Sequence, residues 1–185
     1  MEGKLVRLRA YERTDVDALM RLVNDEELKR YFGVDEPLKY PLSRFQEEKW
    51  VEYAMANSGP DRIFAIETLA TREFIGQIAL HQIHWIDRRA NLSIQILDKT
   101  FWSKGYGTDA LLILERLVFD KLGLHRLALR CAAENARAIR CYEKCGFRQE
   151  GVMRGDRLLD GRRADSLMMS ILEPEYRALM RAHSA

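Results

Sequence analysis

What this 185-residue sequence lacks narrows its function before any motif is read. No apolar run approaches the roughly 20 residues that cross a bilayer. The opening segment MEGKLVRLRAYERTD has no apolar h-region, so no secretory leader is expected there. Cysteine is scarce, and the three present, Cys131, Cys141 and Cys145, cannot all pair. Free thiols in a reducing cytoplasm are the expectation. Cys141 and Cys145 stand four apart on a predicted helix, but only His125 lies near them, so no metal site is expected. Charge of one sign is also missing. Thirty Lys and Arg against 28 Asp and Glu leave a net +2, which gives no argument for nucleic acid or a membrane surface. Repeats, low-complexity tracts and long linkers are absent too. The chain therefore reads as one domain over residues 1–185 with a single sizeable core.

What is there has the balance of an ordinary folded domain, 47% hydrophobic and 31% charged. Leu5 to Arg9 alternates apolar and polar residues and predicts a strand. Thr14 and Asp15 can cap a helix with apolar positions Val16, Leu19, Met20, Leu22 and Val23. Tyr31 to Leu42 holds two prolines and a glycine and reads as loop. Ser43 with Gln46 forms a capping box for a second helix, which Ser58-Gly59-Pro60 stops. Strands follow at Arg62 to Thr68, Glu73 to His84 (with Gly76 as a bulge mark) and Arg89 to Leu97. Ala110, Leu111, Leu114, Leu117, Val118 and Leu122 make a core-facing helical stripe that Gly123 ends. His125 to Cys131 predicts a strand and Asn135 to Cys145 a short helix. Strands near Arg148 to Arg154 and Arg163 to Leu172 are joined through Asp160-Gly161. Antiparallel strands dominate the first half and a β-α-β-α-β run the second, so helices should cover both faces of one mixed sheet.

One stretch asks for a ligand. In Lys104-Gly-Tyr-Gly-Thr108, two glycines stand directly before a predicted helix. Glycine there lets the backbone come close to something, and a helix N-terminus offers unpaired N–H groups and the positive end of a dipole. Together these make an anion cradle. A plain turn before a core helix has the same pattern. A dinucleotide site is the rival ligand reading, but that motif belongs in a first β-α unit, and this one lies mid-chain after antiparallel strands.

Leu92-Ser-Ile-Gln-Ile-Leu97, then Phe101-Trp-Ser-Lys-Gly-Tyr-Gly-Thr-Asp-Ala110, then Asn135 with Tyr142-Glu-Lys-Cys-Gly-Phe147 resemble the GCN5-related N-acetyltransferases (GNAT) over nearly the whole chain. Within them the sequence is most similar to the branch holding ribosomal-protein N-terminal acetyltransferases and spermidine acetyltransferases. The resemblance implies an α/β (α+β) GNAT-like domain with a mixed, mostly antiparallel sheet of about seven strands, splayed at the cofactor site. It implies acetyl-CoA as co-substrate. Trp102, Ser103, Lys104, Gly105, Tyr106, Gly107 and Thr108 match the pyrophosphate loop, where the family pattern Gln/Arg-x-x-Gly-x-Gly/Ala has Gln or Arg at the Trp102 position. Gln95, Ile96 and Leu97 are expected to bond the pantetheine arm through main chain, and Asn135 and Ala138 to lie against it. Asn135 is equally a helix N-cap.

By the same resemblance Tyr142 gives its proton to the departing CoA thiolate, a role that a phenol of ordinary pKa about 10 can fill. Its alternative is a core aromatic. An amine nucleophile must be neutral to attack, and Glu67, His81, His84 or an ordered water are the candidates for its base. Cys145 as a covalent acyl carrier is less in keeping with direct transfer in a ternary complex. For the acceptor, a protein or peptide N-terminus leads on branch resemblance, with small amines open and polyamines an alternative. Asp25-Glu26-Glu27 and Asp35-Glu36 are the carboxylates that would line a polyamine pocket or form a solvated face. A non-catalytic acyl-CoA sensor is the reading from another class. The family admits a homodimer, for which Trp50, Trp85 and the C-terminal hairpin offer apolar surface. The arginine-rich hairpin Arg154 to Arg163 has three readings, a contact to the 3′-phosphate of CoA, a contact to a protein acceptor, or plain solvation, and solvation is the favoured one.

Overall fold

Seven strands join in one sheet in a computed structural model that describes residues 1–25, 27–28, 41–57, 59–159 and 161–184. They are β1 (Val6–Arg9), β2 (Arg62–Thr68), β3 (Phe74–His84), β4 (Arg89–Ile96), β5 (Arg126–Ala132), β6 (Arg148–Leu159) and β7 (Arg162–Leu172), in the order β1-β2-β3-β4-β5-β7-β6. Only β4 and β5 pair in parallel; every other neighbouring pair is antiparallel. The helices are α1 (Asp15–Leu22), α2 (Arg44–Ala56), α3 (Tyr106–Arg116), α4 (Ala136–Lys144) and α5 (Glu173–Ser184). Among the described residues no helix is long and apolar enough to cross a membrane.

Strand alternation divides the core between the two faces. Leu8, Ile66, Ile78, Leu80, Leu92, Leu127, Leu129 and Met169 point to one face, where Leu111 and Leu114 of α3, Tyr142 of α4 and Tyr176 of α5 cover them. Ile63, Ala65 and Ala79 point to the other, beneath Val16 and Leu19 of α1 and Val51 and Ala54 of α2. The first will be called the helix face of the cleft and the second the far face.

The capping box at α2 is formed: Gln46 N–H donates to Ser43 Oγ, and Ser43 N–H to Gln46 Oε1 at 2.8 Å. Asn57 in a left-handed conformation ends that helix. Gly76 sits beside a register shift between β2 and β3, and a side chain there would meet the Gln95 carbonyl at 2.0 Å. The Asp109 carboxylate, in the first turn of α3, accepts main-chain N–H groups of Lys4, Leu5 and Val6 at 2.8–3.0 Å. That ties the entry of β1 to the helix start on which the glycine loop rests.

Several expectations need correcting. Thr14 makes no side-chain cap for α1. Asp15 instead accepts N–H from Glu12 and from the Arg9 guanidinium. α3 runs into a wider π-turn, Leu117–Lys121, before Gly123. β6 extends to Leu159, past the expected end at Arg154. α5 was not expected at all. Its Tyr176 stacks on Phe119 at 4.9 Å, and Tyr176 and Arg177 both bond Asp120, which pins the helix to the π-turn. Trp50 is packed edge-on against Tyr11 at 5.0 Å and offers little surface, whereas Trp85 is exposed. The loop from Tyr31 to Tyr40, Asp35 and Glu36 within it, Glu26, Ser58 and Asp160 lie outside the described residues.

Candidate active site

A gap opens where β4 and β5 part. They pair only from Arg89–Asn91 to Arg126–Ala128, although β4 continues to Ile96 and β5 to Ala132. Leu97 N–H bonds the Ile75 carbonyl at 2.8 Å, so by alternation the odd-numbered residues of β4 address β3. Ile94 and Ile96 therefore turn their main-chain groups toward the gap, where β5 no longer supplies partners; the Ile96 carbonyl is taken by the Trp102 indole, which leaves the Ile96 N–H facing the gap. The gap leads into a cleft of about 500 Å³ that passes from one face of the sheet to the other.

On the helix face, Gly105 is the N-cap of α3 at φ 90, a left-handed conformation that side-chain-bearing residues avoid. It aims the first N–H groups of an 11-residue helix at the cleft, beside Gly107 and Thr108. Trp102 explains its own departure from Gln or Arg. Its indole N–H donates to the Ile96 carbonyl at 2.7 Å, and the Arg137 guanidinium lies 3.4 Å over its ring. The indole thus fastens the loop to both β4 and α4. Asn135 caps α4 by accepting Ala138 N–H at 3.1 Å and also lines the cleft. Arg137, Arg140 and Lys144 recur at i, i+3 and i+7 along α4 and place a basic stripe on the cleft wall.

Tyr142 is buried yet lines the cleft, its ring edge-on to Phe147 at 6.0 Å. Burial, then the neighbouring Cys131, Cys141 and Cys145 sulfurs, push its phenol well above the ordinary range. The proton stays on oxygen until a strong base arises beside it. Cys141 faces Thr108, Oγ1 to Sγ 3.3 Å, and its thiol is lowered through the Cys145 hydrogen bond, with Thr108 assisting against burial. Cys145 is fully buried, its thiol pushed up by Cys141 and by burial, and it does not line the cleft. An acyl carrier needs access that Cys145 lacks.

On the far face, polar side chains form rows across the strands. Tyr11 O–H donates to Gln77 Oε1 at 2.7 Å, and Gln77 Nε2 to Gln95 Oε1 at 2.6 Å. Gln95 lines the cleft, its amide held from behind. Of the three candidate bases, Glu67 is gripped by Arg7 and Arg9 at 2.7 and 2.6 Å. Burial pushes its carboxyl up, but those guanidiniums overcome this and hold it below the usual range, so it is a poor base. His84 lies exposed near the end of the hairpin, 3.2 Å from Asp87. His81 alone of the three touches a cleft-lining side chain, Ser93. Arg130 and Arg157 also line the cleft, and no carboxylate does among the described residues. Arg157 corrects the expectation that its hairpin is simply solvated.

The structure thus brings Gln95, Ile96, Trp102, Ser103, Gly105, Gly107, Thr108, Asn135, Ala138 and Tyr142 to one cleft. It leaves three expected residues out. Leu97 is buried in the far-face core with its N–H taken, Lys104 is exposed on the loop, and the Tyr106 ring packs on Phe101 at 5.0 Å. Ser93, Arg130, Arg137, Arg140 and Lys144 were not anticipated. The α4 spacing carried a readable signal for three of them; the others depend on pairing across strands.

Comparison with known proteins agrees with this geometry. A family model described as Acetyltransferase (GNAT) domain matches residues 6–148. Spermidine N(1)-acetyltransferase of Vibrio cholerae is 30% identical over 169 residues, covering 91% of this chain and 94% of that one. A putative ribosomal N-acetyltransferase of Bacillus subtilis, YdaF, is 32% identical over 101 residues, 55% of each chain. The crystal structure of the Vibrio cholerae spermidine N-acetyltransferase in complex with CoA and spermine superposes with a TM-score of 0.80 at 30% identity, covering 93% of this chain and 98% of that one.

Proposed function

The chain belongs to the GNAT acetyltransferase family and is an acetyl-CoA-dependent N-acetyltransferase, and we propose that its acceptor is a primary amine with a negative group close by, such as a peptide N-terminus or an amino acid. The observation that carries this is the charge of the cleft wall on the acceptor side. Arg130 and Arg157 line it near Ser93 and Gln95, and no carboxylate does among the described residues. Asp156 pairs with Arg130 from one side at 3.2 Å and orients the guanidinium.

The residues present fit CoA. The left-handed Gly105 turn and the α3 N-terminus suit the pyrophosphate. The main-chain groups of Ile94 and the N–H of Ile96 suit the amides of the pantetheine arm, with Asn135 and Ala138 alongside. Arg137, Arg140 and Lys144 suit the remaining phosphate charge. Bound there, acetyl-CoA supplies an activated thioester. Tyr142 holds a proton in a dry pocket and delivers it to the sulfur as the carbon–sulfur bond breaks. The acceptor enters from the far face, opposite the helix-face cradle, and reacts directly.

A second reading is a polyamine acceptor. It is favoured by the Vibrio cholerae relative, whose name and bound ligand are those of a spermidine acetyltransferase. The test is thiol release from acetyl-CoA against short peptides of varied N-terminus, free amino acids, spermidine and aminoglycosides, with a no-acceptor control. Peptides or amino acids should turn over fastest, and Arg130→Ala should raise their KM without weakening acetyl-CoA binding. Fastest turnover of spermidine, unaffected by Arg130→Ala, would establish the second reading instead. The exposed Trp85-Ile86 tip is proposed as a self-association surface, to be checked by light scattering of wild type against Trp85→Ser. A related Vibrio cholerae enzyme is dodecameric.

A further inference from the structure

Three neighbouring strands each place one side chain in a line across the far face. Asp61 stands just ahead of β2, His81 is on β3 and Ser93 on β4. The register explains the line. Arg62 pairs with Leu80, which sets Asp61 beside His81, and Ala79 pairs with Ser93, which sets Ser93 on the diagonal from His81. Asp61 Oδ2 lies 3.1 Å from His81 Nδ1, and His81 Nε2 lies 2.8 Å from Ser93 Oγ. Ser93 lines the cleft; Asp61 and His81 stand behind it, part-buried.

For a neutral imidazole the hydrogen-bond inventory selects one tautomer. An ionised carboxylate only accepts, so Nδ1 of the neutral imidazole carries the hydrogen and donates to Asp61. Nε2 then has the free lone pair, and Ser93 O–H must donate to it. The lone pairs of Ser93 Oγ are left to receive a donor from the cleft. This is the connectivity by which a carboxylate orients an imidazole and the imidazole draws a proton through a hydroxyl. Neither of the other candidate bases has such a connection to the cleft.

We propose that Ser93 and His81 form a proton relay that takes the proton from the incoming ammonium group, with Asp61 as the positioning residue. The inference rests on the acetyl-transfer reading of the cleft and adds its missing base. Ser93 Oγ accepts one N–H proton from the ammonium while its own hydroxyl proton passes to His81 Nε2. The imidazolium so formed is stabilised by Asp61 and later releases the proton to solvent. The neutral amine nitrogen then bonds the acetyl carbonyl carbon, and the carbon–sulfur bond breaks. Tyr142 gives its proton to sulfur, and the second amine proton restores the phenol. The amide, CoA thiol and one released proton balance the ammonium and the thioester.

The test begins with nitrogen NMR of the histidine rings. Wild type should show His81 protonated on Nδ1, and Asp61→Asn should lose that preference. Next, His81→Ala is assayed on whichever amine wild type acetylates. Its kcat should fall about 10²-fold or more, while acetyl-CoA still raises its melting temperature as it does for wild type. Added imidazole should restore part of the lost rate, a response that a structural defect would not give. Ser93→Ala should also lose rate but show no imidazole rescue, and His84→Ala should keep the wild-type rate. A wild-type rate in His81→Ala overturns the relay, as does loss of acetyl-CoA stabilisation together with the rate. An acetylated Ser93 peptide trapped by mass spectrometry also overturns it, since the serine would then be a nucleophile. If wild type acetylates no amine of the panel, the functional reading falls first and the relay with it, which separates the two failures.

Discussion

The two sides of the cleft solve their polar problems differently. On the helix face the working groups are largely main chain: the α3 N-terminus behind Gly105, the gap-facing groups of Ile94 and the N–H of Ile96. Side chains there serve to hold that backbone still, as Trp102 does between Ile96 and Arg137. Deeper on this face lies Glu115, fully buried on α3, whose carboxyl oxygens find no hydrogen-bond partner among the described residues. On the far face the working groups are side chains, and they are backed in rows, Tyr11–Gln77–Gln95 and Asp61–His81–Ser93. Backbone recognition tolerates almost any sequence that keeps the turn, so it suits a ligand common to a family. Side-chain rows change with every substitution, so they suit the part of the reaction that varies between members.

The largest break in this comparison is expected at Tyr142, the helix-face side chain proposed to do chemistry. Tyr142→Phe should lower turnover about 10²-fold or more in a thiol-release assay and leave acetyl-CoA affinity intact. Unchanged turnover would leave the phenol a packing group. Next comes Gly105→Val. A left-handed conformation costs a side-chain-bearing residue about 1–2 kcal/mol. Acetyl-CoA affinity by calorimetry should weaken by about tenfold, with the acceptor KM unaffected at saturating acetyl-CoA.

How much of this was open to reading from the sequence follows the range of the interactions. The glycine loop, the capping box, the α3 stripe and Tyr142 are local patterns, and they stand where periodicity or motif placed them. The far-face rows could not be read, because Asp61, His81 and Ser93 meet only once the β2–β3–β4 register is known. α5 is a different case. Pro174 and acidic Glu173 and Glu175 in its first turn are ordinary start signals, with Tyr176, Leu179 and Met180 at helical spacing. They were obscured because the helix follows β7 with no intervening turn. The far end of β6 was hidden by Gly155, which reads as a strand end but lies within a bulged stretch.

A smaller effect sharpens the contrast from the other side. Gln77→Ala removes the middle of the Tyr11–Gln77–Gln95 row and leaves Gln95 free to turn. The acceptor KM should rise severalfold, with acetyl-CoA affinity unchanged; an equal loss of both would erase the division of labour between the faces. The smallest effect concerns Glu115. Burial, then the nearby Cys141, pushes its carboxyl well above the ordinary range. Below about pH 4.3 the folded and unfolded chains both hold this proton, and the group costs nothing extra. As pH rises, the unfolded chain releases it while the folded chain retains it, and stability falls. Glu115→Gln should therefore raise the melting temperature by a few degrees at pH 7, with the gain vanishing below about pH 4.3.

The short pairing of β4 with β5 has a consequence for the life of the protein between turnovers. Beyond Asn91 and Ala128 the ladder is unzipped, so amides there should exchange with solvent faster than their depth in the molecule suggests. A ligand that bridges this seam, as proposed for acetyl-CoA, becomes a temporary strand, and its binding energy becomes folding energy. At a free concentration 100 times the dissociation constant the linkage amounts to about 2.7 kcal/mol. The protease resistance of the chain would then track the acetyl-CoA concentration around it, making the enzyme most durable when its donor is plentiful.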